Sequence, residues 1–193
     1  MKIILASKSG VRKKILDENK IECIVSHSNV DEDQAKDSLI DAGAGPLEIS
    51  KNLAELKSCK VGNKYPNQLV LGADSVISLN NKLINKPKSR DEALSILKKL
   101  NGSLHYLISS ACLTKNGSMI WNHTDTSELK MKKLSEKELI EYLSKIKTET
   151  LFAYGVYQIE AGGLGLFENI KGDKDSIMGL PIKQLKQYLK EYK

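Results

Sequence analysis

Ile3-Ile4-Leu5-Ala6-Ser7-Lys8-Ser9-Gly10-Val11-Arg12 is the stretch that decides how this chain is read. Residues 3–6 are a short apolar run that predicts a buried strand, residues 7–10 break it, and a helical pattern begins at Val11. A strand feeding a small polar turn that opens a helix presents backbone N–H groups and the positive end of a helix dipole, an arrangement suited to phosphate. Ser7 and Ser9 add hydroxyls and Arg12 adds a guanidinium. Only two of the 30 basic residues are arginine, Arg12 and Arg90, so Arg12 stands against a strong lysine bias. A planar fork grips a phosphate bidentately where lysine offers a point charge.

Outward from that stretch, composition sets bounds. A chain of 193 residues, 40% hydrophobic and 28% charged, is long enough to bury a core as a single domain over 1–193. No apolar run reaches the length of a membrane span, and the start of the chain lacks a secretory pattern, so the expectation is a cytoplasmic protein without membrane contact. Cys23, Cys59 and Cys112 are odd in number and far apart, which suggests neither a disulfide framework nor a zinc site; small buried apolar roles are expected. The net charge of +6 favours anionic partners, but the lysines are dispersed and aromatics make up 5%, so a small phosphorylated ligand is expected rather than stable nucleic-acid binding.

Along the chain, the first helix is expected to end near Asn19 and a second strand to cover residues 21–25. The acidic triplet Asp31-Glu32-Asp33 has two readings, a solvated loop or a hard-cation site after a strand end. Residues 37–45 read as loop, and Pro46 opens a helix to about residue 61 that carries Lys57. Residues 69–79 form the most apolar stretch and predict a central strand. Asp74 within it is costly unless paired or metal-bound; a carboxylate bonded to a turn is the structural alternative. Gly72 and Ala73 are expected to give a ligand room.

Asn80-Asn81 and Asn116-Gly117 mark hairpins, and Ser89 and Ser135 open capping boxes, with Arg90 a plain surface residue. His105 reads more readily as a structural histidine than as a catalyst. Residues 154–165 are a glycine-rich loop containing Gln158 and Glu160, and Pro181 precedes the final helix. The sum is an α/β unit with a mixed, hairpin-containing sheet.

Leu5 to Arg12, Val30-Asp31-Glu32, Leu53-Ala54 with Lys57, Gly72-Ala73-Asp74-Ser75, Lys86-Pro87, Glu92-Ala93, Gly102 with His105, Tyr157 to Glu160 and Gly179-Leu180-Pro181 together resemble the Maf family of septum formation proteins. The resemblance runs nearly end to end. It implies an inosine-triphosphatase-like α/β fold, with an elongated mixed sheet and a cleft between two lobes, often as a homodimer. It also implies a nucleoside triphosphate pyrophosphatase yielding nucleoside monophosphate and pyrophosphate. Carried over by position, Ser7, Arg12, Lys57 and Lys86 would contact the triphosphate, with Ser9 beside them in the turn. Glu32 and Asp74 would hold Mg2+ or Mn2+, and Asp74 would also act as base.

For base choice, the resemblance points to Val11, Ser75 and Glu160, with Gln158 in the same loop. The pyrimidine branch carries Arg, Thr and Gln at the three aligned positions and the 7-methyl-GTP branch Trp, Gln and Glu. Only Glu160 agrees with either, and a carboxylate suits the two donors on the guanine edge, so the expectation leans to 7-methyl-GTP. A noncatalytic nucleotide- or nucleic-acid-binding regulator of cell division is the alternative. It leaves the carboxylates without a task. A kinase-like phosphotransferase is disfavoured because the first turn lacks the G-x-x-x-x-G-K-[ST] spacing.

Overall fold

The computed structural model describes residues 2–159 and 162–192. Among them lie seven strands in one mixed sheet flanked by helices. The opening run forms β1 (Ile3–Leu5), which pairs in parallel with β2 (Cys23–Val25) on one side and β3 (Leu69–Leu79) on the other. Between β1 and β2 runs α1 (Gly10–Glu18), as the sequence predicts. β3 turns through Asn80-Asn81, both at positive φ, into the antiparallel β4 (Lys82–Ile84). β5 (Leu104–Lys115) and β6 (Ser118–Met131) flank the Asn116-Gly117 turn, and β7 (Phe167–Lys171) pairs antiparallel with β6. The order is β2-β1-β3-β5-β6-β7, with β4 on β3.

The residues expected to be loop at 37–45 belong in part to a helix, α2 (Glu32–Asp41). Asp31 is its N-cap, accepting from the Gln34 N–H at 3.0 Å, and Glu32 and Asp33 sit in the first turn where negative charge complements the dipole. The acidic triplet is thus a helix start rather than a solvated loop. Asp31 followed three residues later by Gln34 is the capping pattern that could have announced it. α3 (Pro46–Gly62) begins with its proline, α4 (Arg90–Leu100) is capped by Ser89, and α5 (Glu136–Ser144) by Ser135. α6 (Thr148–Tyr154) was not foreseen, and a 3-10 turn covers Gly163–Leu166. A short α7 (Lys174–Ile177) precedes α8 (Ile182–Glu191).

The chain divides into two compact units. The first holds the residues up to Val76, Ile108–Thr126 and those from Gly172 on; the second holds Ile77–Leu107 and Ser127–Lys171. In the first, β1 is covered on both faces, which is why it is apolar at every position. Ile3 and Leu5 join Ile15, Leu16, Leu71, Leu180 and Leu185 on one side. Ile4 and Ala6 meet Val61 and Val70 on the other. In the second unit α4 packs on α5, and Ile96 and Leu97 of the first and Leu139 and Leu143 of the second are buried. Cys112 is buried as expected, whereas Cys23 and Cys59 are only half-buried, and all three are free thiols. No helix among the described residues is long and apolar enough to cross a membrane.

Candidate functional site

Successive side chains on a strand point to opposite faces, and β3 uses this to build two polar clusters within the first unit. On the α3 side lies Gly72. A Cβ there would overlap the Ala54 carbonyl oxygen and stand 2.7 Å from Ser58 N. The expected room for a ligand is therefore filled by α3 itself, whose backbone rests on the strand. That close approach lets Lys57, 5% exposed, bring its ammonium to Asp74 Oδ1 at 2.6 Å. The same Nζ reaches Glu32 Oε1 at 2.9 Å. Ser50, wholly buried on α3, places its hydroxyl 2.9 Å from Ser110 Oγ and 3.3 Å from the Asp74 carbonyl, with one proton to give to either.

Lys57 thus joins the two carboxylates proposed as metal ligands, a pairing the sequence reading did not foresee. Read from the sequence alone Lys57 is a surface lysine; the structure instead buries it with Ser50, Ala54, Ser58 and Val61 on one face of α3, because its ammonium finds two carboxylates there. Asp74 Oδ2 is buried with no hydrogen-bond partner. An orphaned carboxylate oxygen is expensive in a protein interior and suits a cation or an ordered water. Among the described residues no group of three or more His, Cys, Asp or Glu forms a cage. Two carboxylates nonetheless fit Mg2+ or Mn2+, which can take the rest of their shell from phosphate oxygens and water.

On the other face of β3, Ser75 Oγ receives Arg12 Nη2 at 3.3 Å and exchanges a bond with Ser109 Oγ at 2.9 Å. Arg12 Nη1 donates to Ser7 Oγ at 3.2 Å and Nε to the Gly179 carbonyl at 2.9 Å. Ser9 is the N-cap of α1, accepting from the Arg12 N–H, and the Ser9 N–H donates to Ser7 Oγ. The turn that the sequence offered as a phosphate cradle is held in shape by the very residues expected to contact phosphate. Gly179, at φ +103, is placed so that a Cβ would press within 3.2 Å of Ser75 Oγ and 3.4 Å of Arg12 Nε. Ser109 carried no sequence signal, being one of two adjacent serines in a mostly apolar strand.

Ser7, Ser9, Arg12, Ser75, Glu32, Lys57 and Asp74 are therefore gathered within the first unit. Val11 is half-buried against its core. Lys86 and Gln158 belong to the second unit. Lys86 is exposed after β4; Gln158 is nearly buried, its carbonyl accepting from the Gly163 N–H at 2.8 Å and its Nε2 lacking a partner. Glu160 lies outside the described residues. Arg90, expected as a plain surface residue, is exposed but donates to the carbonyls of Leu143 and Ile146 and to Thr148 Oγ1, tying the end of α5 to the start of α6.

The chain is similar to several known proteins. A curated protein of Pelagibacter ubique named nucleoside triphosphate pyrophosphatase is 58% identical over 188 residues, covering 97% of this chain and 96% of that protein. A Brucella abortus protein named 7-methyl-GTP pyrophosphatase is 33% identical, covering 100% and 97%. The solved structure of a HAM1 protein from Coxiella burnetii superposes with a TM-score of 0.48 at 13% identity, over 68% of this chain and 73% of that one. The family described as Maf-like protein matches residues 2–192, and the chain belongs to it.

Proposed function

We propose that the protein is a nucleoside triphosphate pyrophosphatase that hydrolyses the bond between the α and β phosphates, releasing a nucleoside monophosphate and pyrophosphate. The observation that carries this reading is the buried Lys57 ammonium shared by Glu32 and Asp74, with Asp74 Oδ2 left unpartnered. A charged cluster of this kind is a poor device for stability, because desolvation offsets most of the attraction. It is a good device for holding a hydrolytic water against a polyanion. The names of the Pelagibacter and Brucella relatives support the same reaction class.

In this reading Glu32 and Asp74 hold Mg2+ or Mn2+, whose bound form would neutralise charge on the phosphate oxygens. Asp74 Oδ2 orients the attacking water and takes its proton. Lys57 holds both carboxylates in place. Arg12, with Ser7 and Ser9 around it, holds the triphosphate tail and stabilises charge gathering on the departing pyrophosphate. Glu160 leans the base choice towards 7-methyl-GTP, with Val11, Ser75 and Gln158 as further substrate-binding positions.

Pyrophosphate release measured with added Mg2+ or Mn2+ on dTTP, UTP, CTP, GTP and 7-methyl-GTP tests the reading. Turnover of one or two of these, greatest for 7-methyl-GTP and abolished by chelation, is expected. No release from any of them by folded protein would overturn the function. Strongest release from dTTP or UTP would overturn only the base choice.

A further inference from the structure

Trp121, His123 and Asp125 alternate along one face of β6, and none of them belongs to the polar clusters already described. The His123 ring stacks on Trp121 at 6.2 Å with 15° between planes, and Trp121 stacks in turn on Tyr188 of α8. His123 Nε2 meets Asp125 Oδ1 at 2.7 Å; an ionised carboxylate only accepts, so the proton lies on that nitrogen. The other carboxylate oxygen, Asp125 Oδ2, accepts from Ser176 Oγ at 2.5 Å. Ser176, 1% exposed, sits in α7, whose start is capped by Asp173 through the N–H groups of Asp175 and Ser176. Asp173 is itself paired with Lys183.

From there the chain turns sharply. The Gly179 N–H donates to the Ser176 carbonyl at 3.0 Å and the Leu180 N–H to the Asp175 carbonyl at 2.9 Å. This turn aims the Gly179 carbonyl at Arg12 Nε. Asp125 is therefore three links from the guanidinium: one hydrogen bond from Ser176, the turn that Ser176 begins, and the Gly179 carbonyl that accepts from Arg12 Nε. All these residues lie in the first unit.

We propose that Asp125 and Ser176 are positioning residues for Arg12, fixing the 173–179 turn so that the Gly179 carbonyl holds Arg12 Nε and orients the fork toward substrate phosphate. Its consequence for catalysis rests on the function proposed above; the positioning itself does not. A guanidinium with several rotatable bonds loses entropy each time it finds its place, and a carbonyl already in register removes most of that cost. Asp125 and Ser176 touch no reacting atom. They act through Gly179.

The scarcity of arginine makes the test direct. Only Arg12 and Arg90 contribute side-chain Nε–H signals to a 15N–1H spectrum, and Arg12→Lys assigns them. Arg90 Nε donates to Thr148 Oγ1 in the second unit, so it reports folding independently. In the wild type the Arg12 Nε–H is expected to be protected from solvent exchange. In Ser176→Ala and Asp125→Ala its exchange should quicken about tenfold or more, while the Arg90 signal stays. Asp125→Asn keeps an oxygen for the Ser176 hydroxyl and should retain most of the protection.

Kinetically, the two alanine variants should raise KM for the nucleotide about tenfold with a smaller change in kcat, and should do almost nothing further in an Arg12→Lys background. An Arg12 Nε–H unchanged in both variants, or unprotected in the wild type, overturns the positioning role. Protection lost as expected in an enzyme that releases no pyrophosphate overturns the proposed function and leaves the positioning standing.

Discussion

Lys57 in the first unit and His105 in the second are both buried ionisable groups, kept by opposite means. Lys57 is met by two carboxylates, at 2.6 and 2.9 Å. His105, with no exposed surface, gives its charge up. It lies against the rings of Tyr157 and Phe167, 5.7 and 5.9 Å between centroids, with Nε2 sharing a hydrogen bond with the Tyr157 hydroxyl at 3.1 Å. Burial pushes its pKa down to about 4, and burial also pushes the Tyr157 hydroxyl far above its ordinary range. Neutral pairing is the economical way to bury a polar group. A chain that pays instead for three charges in one place has a use for their field.

Asp74→Ala should break that contrast most severely. It leaves the buried ammonium with Glu32 alone, so pyrophosphate release should fall by at least about a hundredfold and stability by about 3 kcal/mol, read from urea unfolding. Asp74→Asn keeps the volume and should recover much of the stability but none of the turnover. Full activity in either variant would remove Asp74 from the reaction.

Gly72→Ala tests how the first unit brings its charges together. The added methyl meets the backbone of α3, neither the Ala54 carbonyl nor Ser58 N being able to swing aside, so a loss of about 3 kcal/mol is expected in thermal or urea unfolding. Gly10→Ala, where a Cβ meets nothing within 4 Å, should be neutral or slightly stabilising and serves as the control. Equal stability of the two variants would show that α3 can retreat from β3, and that the Lys57–Asp74 distance depends on something else.

The two glycines also show what the sequence could and could not disclose. Gly72 was legible as a place of close approach, but not which element approaches, because a missing Cβ has the same appearance whether a helix or a ligand fills it. The strand–turn–helix at the start, the hairpins at Asn80-Asn81 and Asn116-Gly117, and the helices capped by Ser89 and Ser135 were legible because each is specified by neighbours in the chain. The polar bonds that shape the site join residues far apart, Arg12 to Gly179 and Ser75 to Ser109, and no local pattern announces them. α6 escaped for a related reason: it is seven residues long, has a single buried side chain, and is tied at its start by Arg90 from another helix.

His105 sets the pH dependence of the second unit. In the unfolded chain its imidazole binds a proton near pH 6.5, in the folded chain only near 4. Above pH 6.5 both forms are neutral. As pH falls through that value the unfolded chain gains a proton that the folded chain refuses, so stability drops progressively until about pH 4, by about 3 kcal/mol over the window. His105→Phe should lower stability at pH 7, through the unpaired Tyr157 hydroxyl, yet lose less than the wild type between pH 7 and pH 4.5. Parallel urea midpoints for the two proteins across that range would show His105 to be no part of the acid response.

The smallest effect separates local structure from site. Ser9 and Ser135 are both N-caps, the first for α1 beside Arg12 and the second for α5, where Glu138 returns the bond to the Ser135 N–H at 2.7 Å. Replacing either serine by alanine should cost about 1 kcal/mol of stability, because one helix-start N–H loses its acceptor in each case. The two should part in catalysis. Ser9→Ala also loosens the turn that holds Ser7 and Arg12, so KM for the nucleotide should rise a few-fold; Ser135→Ala should leave KM and kcat unchanged. If Ser9→Ala matched Ser135→Ala in both stability and KM, the opening turn would be a helix start and nothing more, and the phosphate-binding role first read from residues 7–12 would rest on Arg12 alone.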